Sequence, residues 1–247
     1  MPAYALKNNS MKKTDLLVIV IILALVSPFF LSDEIFAAYN QLNTSHGILM
    51  SFVKFALLAT FGEMIALRLR TGNYNQEGFG IVPRAIVWGF LGITIKMAFV
   101  IFATGTPFLL NYLGMNTVTA NNSQLSFQTI FIAFSISTAM NLMYAPVMMT
   151  FHKITDIHIA STGGTITGLF TPIRFGVIFT KIDWNRQWDF VYKKTIPFFW
   201  IPAHTITFLL PVNYQVLFAA ILGIALGIIL SISGDKTKTI DSNESNK

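Results

Sequence analysis

The 247-residue chain contains no cysteine. Disulfides, thiolate nucleophiles and Cys-based metal sites are therefore excluded. Charge is also scarce. Asp, Glu, Lys and Arg make up 11% of the residues, against roughly 25% in soluble domains. No such residue occurs between Lys96 and Lys153, or between Lys194 and Asp235. These gaps exceed the roughly 20 residues that cross a bilayer as a helix. What fills them is apolar: 53% of the chain is hydrophobic and 14% aromatic. The pattern predicts an all-α, polytopic membrane helix bundle forming a single membrane domain over 1–247.

Six apolar segments stand out: Leu16–Leu31, Ile48–Leu67, Pro83–Phe102, Phe127–Phe151, Thr195–Leu210 and Tyr214–Ile232. With six spans, the Lys and Arg outside the segments or at their very ends fall on one face: Lys7, Lys12 and Lys13; Arg68, Arg70 and Arg84, the last at the edge of the third segment; the six from Lys153 to Lys194; and Lys236, Lys238 and Lys247. The intervening loops 32–47, 103–126 and 211–213 have none. This asymmetry predicts six spans with both termini on the cytoplasmic side. The net charge of +6 thus reflects juxtamembrane loops and points to a lipid bilayer as partner, not to nucleic acid. Lys7, Lys12 and Lys13 before an apolar run resemble a signal peptide. The run is long, however, and Asp33 and Glu34 fall where cleavage would be read, so we expect a retained first span.

Residues 1–13 and 234–247 are polar and expected to be disordered tails. Residues 154–194 form the longest inner loop. Within it, "IASTGGTITGLFTPIRFGVIFTKI" (159–182) is apolar but interrupted by Gly163, Gly164, Gly168, Pro172 and Gly176. Irregular backbone cannot face lipid, so this piece is expected to be either interfacial or re-entrant.

Three ionisable residues lie inside predicted spans: Lys54, Glu63 and Lys96. Charge there costs several kcal/mol unless it is paired or snorkels. Lys54 and Lys96 fall near mid-membrane, and Glu63 near the inner boundary within reach of Arg68 or Arg84. Asn141, His204 and carbonyls freed by prolines are the polar groups available to Lys96. We read Glu63, Arg84, Lys96, Asn141 and His204 as one polar pathway; the alternative is structural, with Lys54 snorkelling outward and Lys96 bonded to a kinked neighbour. Ala219, Gly223, Gly227 and Ser231 recur every fourth residue and predict a close helix contact, within the bundle or in a homo-oligomer. "FHKITDIH" supplies His152, Asp156 and His158, with the first two on one helix face. No H-E-x-x-H or P-loop accompanies them, so neither a metal, a cofactor nor a catalytic residue is expected.

Four stretches resemble the Mpv-seventeen and peroxisomal-membrane-protein-twenty-two family. "FGEMIALRLR" is similar to its G-D-x-x-x-Q element, with Gly62 and Glu63 at the G-D pair. "RAIVWGFLGITIKMAF" is similar to R-x(4)-G followed by G-P-x-x-H-x-W-Y, with Arg84, Gly89, Gly92, Lys96 and Phe99 in the motif places. "NLMYAP" matches D-Q-x-x-F-A-P through Asn141 and Tyr144-Ala145-Pro146. "WIPAHTITFLLPVNYQVL" aligns Trp200, His204, Thr207, Phe208 and Pro211 with the last motif. Ile93, Ala98, Met140 and Gln215 depart from the pattern. The likeness covers roughly 55–230 and implies a divergent, bacterial member; the family itself is usually described with four spans. It further implies an integral membrane protein, in some members a weakly selective channel, with Lys96 where relatives place a proton-capable side chain.

The expected function is a weakly selective channel or small-solute permeation protein, with anions attracted by Lys96. The alternative is a non-transporting scaffold or stability factor. A third is a membrane enzyme built on His152, Asp156 and His158. The basic inner face points to the bacterial cytoplasmic membrane, with an organelle membrane as the alternative.

Overall fold

A computed structural model describes residues 11–115, 117 and 125–244. Among them the regular structure is entirely helical. Much of the N-terminal tail, part of the 103–126 loop and the last three residues lie outside this range.

The first apolar segment divides at Ser27–Pro28 into α1 (Lys13–Val26) and α2 (Pro28–Leu31). Proline is tolerated in a first helical turn but cannot continue the helix before it. The polar helix α3 (Asp33–Ser45) follows, its first turn capped by the Ser32 hydroxyl. α4 (Gly47–Thr71) ends on Gly72, whose φ of 80° closes the helix in the left-handed conformation that glycine adopts freely. α5 (Ile81–Tyr112) is 32 residues long, with Pro83 in its first turn and Pro107 near its end. Helices α4 and α5 are each long and apolar enough to span a bilayer.

The fourth segment is α6 (Phe127–Met143) followed by α7 (Ala145–Ser161), bent by 44° between them. Pro146 lies at the bend, and its missing N–H breaks the helical ladder there. Counted as one bent span, the pair raises the candidates to three. Short helices α8 (Ile166–Leu169), α9 (Phe175–Lys181) and α10 (Trp184–Arg186) then lead into a π-helix, Gln187–Trp200. α11 (Ile201–Leu209) and α12 (Val212–Glu244) complete the chain. α12 thus runs on through 244, past the boundary at 234 expected for a tail. Propagating an existing helix adds one hydrogen bond per residue without a new nucleus.

α4 packs along both α5 and α12, and α6 packs between α5 and α11. Close approach on α4 depends on glycine. A Cβ at Gly92 would meet Phe55 Cβ and the Ser51 carbonyl oxygen at 2.6 Å, and one at Gly62 would meet Ile224 Cα at 3.0 Å. The central apolar cluster comes from α4 (Phe55, Ala59), α5 (Ile95, Phe99), α6 (Met140) and α12 (Ala220), among others. The segment from 159 to 182 folds under α7: Ile178 and Ile182 are buried against Ile154. Its glycines meet the α4–α5 loop, where a Cβ on Gly80 would lie 2.8 Å from Gly164 Cα. Both glycines have positive φ.

Candidate functional site

Several ionisable and amide side chains of the long helices are covered, in three separate groups around the central apolar cluster, while Arg70, Asn111, Lys153 and Asn213 are exposed.

The first group joins α4, α5 and α7. Arg84 Nη1 donates to Glu63 Oε2 and to Asp156 Oδ1, each at 2.5 Å, while its Nε donates to the Phe79 carbonyl at 2.7 Å. Glu63 Oε1 accepts from Trp88 Nε1 at 2.9 Å and from His152 Nε2 at 3.0 Å. His152 lies 3.7 Å from Asp156, one turn along α7. Two carboxylates therefore face one guanidinium and one imidazole. With His152 protonated the group is neutral; with it neutral the group carries one negative charge. Of the two candidate partners, Glu63 selects Arg84. Arg68 binds Asp15 instead through a two-pronged contact, Nε to Oδ1 at 2.8 Å and Nη2 to Oδ2 at 2.6 Å.

That second contact ties the start of α1 to the end of α4. Tyr74 donates to Asp15 at 2.9 Å, and Lys12 Nζ donates to the Gly72 carbonyl at 2.5 Å. The Arg68 hydrogen bond, joined by the Lys12 backbone N–H, holds the Asp15 carboxyl well below the usual carboxylate range. Burial, and then its bond to the Asp15 anion, push the Tyr74 phenol up.

The second interior group is wholly buried. Asn141 Nδ2 donates to the Ser137 carbonyl at 2.8 Å and lies 3.0 Å from His204 Nδ1. Ser137 Oγ donates to the Ile201 carbonyl at 2.7 Å. His204 stacks on Trp200 and meets Phe99 edge to face, with centroids 5.0 and 5.7 Å apart. These contacts lock α6 to α11.

The third group holds the two lysines. Lys54 is only 7% exposed. It donates to Asn43 Oδ1 on α3 and lies over the Tyr39 ring, 5.2 Å from its centroid. It therefore does not snorkel outward. Lys96 lies beside the first turn of α4, near Gly47. Among the described residues it has no hydrogen bond or ion pair. Asn141 and His204, expected to serve it, satisfy each other instead. Both lysines line a cleft of about 20 Å³ with Asn43, Ser51 and Asn213.

The five residues read as one pathway are thus divided: Glu63 with Arg84, Asn141 with His204, and Lys96 with Lys54. Phe55 and Trp88 stand between the first and third groups, and Phe99 borders the second. Sequence reasoning missed Asp15 and Asn43 as partners. Reach along the helices leaves Glu63 a choice of Arg68 or Arg84, and does not link His152 and Asp156 to either. The spacing of His152 and Asp156 had marked their shared face, and that was the signal available.

Glu63, His152 and Asp156 bring three ligand-type atoms within 4.8 Å of one another. The Arg84 guanidinium already holds the cation position between the acids, so the donor set does not suit a second cation there. His158 joins none of this: its Nε2 faces the Leu169 carbonyl at 3.3 Å. The triad His152, Asp156 and His158 is therefore not assembled.

On α12, Ala219 is buried in the central cluster and Gly227 faces Gly62 on α4, its Cβ position 3.5 Å from the Gly62 carbonyl. A Cβ on Gly223 would meet nothing within 4 Å. The side chain of Ser231 lies outside the described set. A separate surface cleft of about 490 Å³ opens between Asn75–Pro83 and Gly163–Ile166.

No family model, curated protein or solved structure matches the chain.

Proposed function

We propose that this chain is an integral membrane permeation protein with six spans and both termini on the cytoplasmic side of a bacterial inner membrane. One observation carries the reading: Lys54, Glu63 and Arg84, ionisable side chains within the long helices α4 and α5, are largely covered by the bundle. Intramembrane charge turned inward is expensive and marks solute or ion paths more often than anchors. Lys54 and Lys96, with no acid lining their cleft among the described residues, give the interior a preference for anions. The charge distribution of the loops supports the orientation, and the contacts of Lys12 and Asp15 with the end of α4 support a shared side for both segments. The likeness to the Mpv-seventeen family supports the same class of function.

The apolar cluster between the three polar groups favours a second reading, a non-transporting scaffold whose polar contacts fix helix register. Reconstitution in liposomes separates the two. Permeation predicts anion flux above that of empty vesicles, with Lys96→Glu inverting the anion–cation preference. Flux equal to empty vesicles would leave the scaffold.

A further inference from the structure

Lys54 and Lys96 are the two basic residues left over when the loop charges are assigned to one face. They come from different helices, α4 and α5, and converge on one cleft. Its polar lining is rich in donors. Asn43 Nδ2 donates to the Tyr39 carbonyl at 3.0 Å, which turns Oδ1 toward Lys54 and orients that ammonium. The Lys54 ammonium has three N–H groups and Lys96 has three more, while the Ser51 hydroxyl is spent on the Gly47 carbonyl at 2.7 Å. Among the described residues no carboxylate lines the cleft, and α12 contributes Val212, Asn213 and Val216 to its wall.

Two ammonium charges in a partly dry cleft repel, and removing them from water without a counter-charge is costly. An anion between them relieves both terms at once. The available space, about 20 Å³, is that of one or two water-sized guests. A phosphate or a carboxylate metabolite would have to reach in from the open side, whereas a monatomic anion fits between the two lysines. We propose that the Lys54–Lys96 cleft binds a single monatomic anion of halide size. As the solute class of the pathway above, it rests on the permeation reading; as an equilibrium site, it is measured without flux.

The test uses the full chain in neutral detergent. Chloride line width is followed by NMR while gluconate replaces chloride at constant ionic strength. Intact protein is expected to broaden the chloride line, and bromide to reverse the broadening. Lys96→Gln should weaken chloride binding by about tenfold or more, from the loss of one close charge. Gly47→Leu fills the cleft beside Lys96 Cε, which lies 3.9 Å from the Gly47 Cβ position, and should abolish broadening with both lysines retained. Arg70→Gln, on the distant end of α4, should change nothing. Broadening that is absent in intact protein, or unaltered by both Lys96→Gln and Gly47→Leu, overturns the site. So does displacement of chloride by inorganic phosphate, or its loss in nanodiscs containing phosphatidylglycerol, because the ligand would then be a phosphate, free or from lipid. Chloride binding without liposome flux would defeat the permeation reading alone.

Discussion

Arg84 meets Glu63 at 2.5 Å across the α4–α5 interface, and the same guanidinium nitrogen lies 2.5 Å from Asp156 on α7. One cation thereby joins three helices. Removing a single member leaves an uncompensated charge in a covered site, which costs about 3–5 kcal/mol. Arg84→Met should therefore destabilise the bundle by that order. Glu63→Gln should cost less, because Asp156 still neutralises Arg84. Denaturant unfolding in mixed micelles measures both, and a double-mutant cycle with a coupling below about 0.5 kcal/mol would refute the joint role.

The Asp15–Arg68 contact makes a pH-dependent clasp. The folded-state carboxyl titrates below its unfolded value, so its stabilisation is full above roughly pH 4 and fades as pH falls below that. Asp15→Asn should remove this dependence. Protease accessibility of the α1–α2 segment between pH 3 and 7 should rise on acidification in the native chain and be high throughout in Asp15→Asn.

Gly92 and Gly223 predict opposite responses to alanine. At Gly92 a methyl group collides with α4 at 2.6 Å, and the separation it forces should cost about 1–3 kcal/mol. At Gly223 there is open space, and alanine should be neutral or stabilise by up to about 1 kcal/mol through helix propensity. Thermal melts of the two variants compare them directly.

Asn141→Leu should cost about 1–3 kcal/mol, since Ser137 and His204 lose a buried partner. The double variant Asn141→Leu with His204→Phe should recover part of that loss, because an apolar pair leaves fewer polar groups unmet. Equal stability of single and double variants would contradict the coupling.

A chain without cysteine suits thiol mapping of its own topology. Asn73→Cys should react with an impermeant maleimide only after the membrane is opened, and Ser45→Cys in intact cells. The reverse pattern would invert the proposed orientation.

Much of the helical layout was legible because apolar runs and charge gaps record it directly. The bounds of α4 and α5 contain the predicted segments Ile48–Leu67 and Pro83–Phe102. The bend at Pro146 was legible in kind, because a proline inside an apolar run breaks the helical ladder, but its angle of 44° was not. That Glu63 pairs with Arg68 or Arg84 could be read from reach along the helices. The split of Lys96 from Asn141 and His204 could not, because polarity in sequence carries no azimuth between different helices. Lys54 illustrates the same limit: its partner Asn43 sits on α3, a polar helix that no hydrophobic pattern brings against the bundle.

The length of α5 has a mechanical consequence. Thirty-two residues extend about 48 Å, whereas the hydrocarbon slab is about 30 Å thick. A rod that long must lean or stand proud of the slab, and the lean changes with bilayer thickness. Arg84 sits at one end of that rod, anchored to α4 and α7, and Lys96 sits at its middle. The contacts of Gly89 and Gly92 with α4 hold the two helices together close to Lys96, so α4 and α5 should lean as one body and the lysine cleft should keep its width as the lipid thins or thickens.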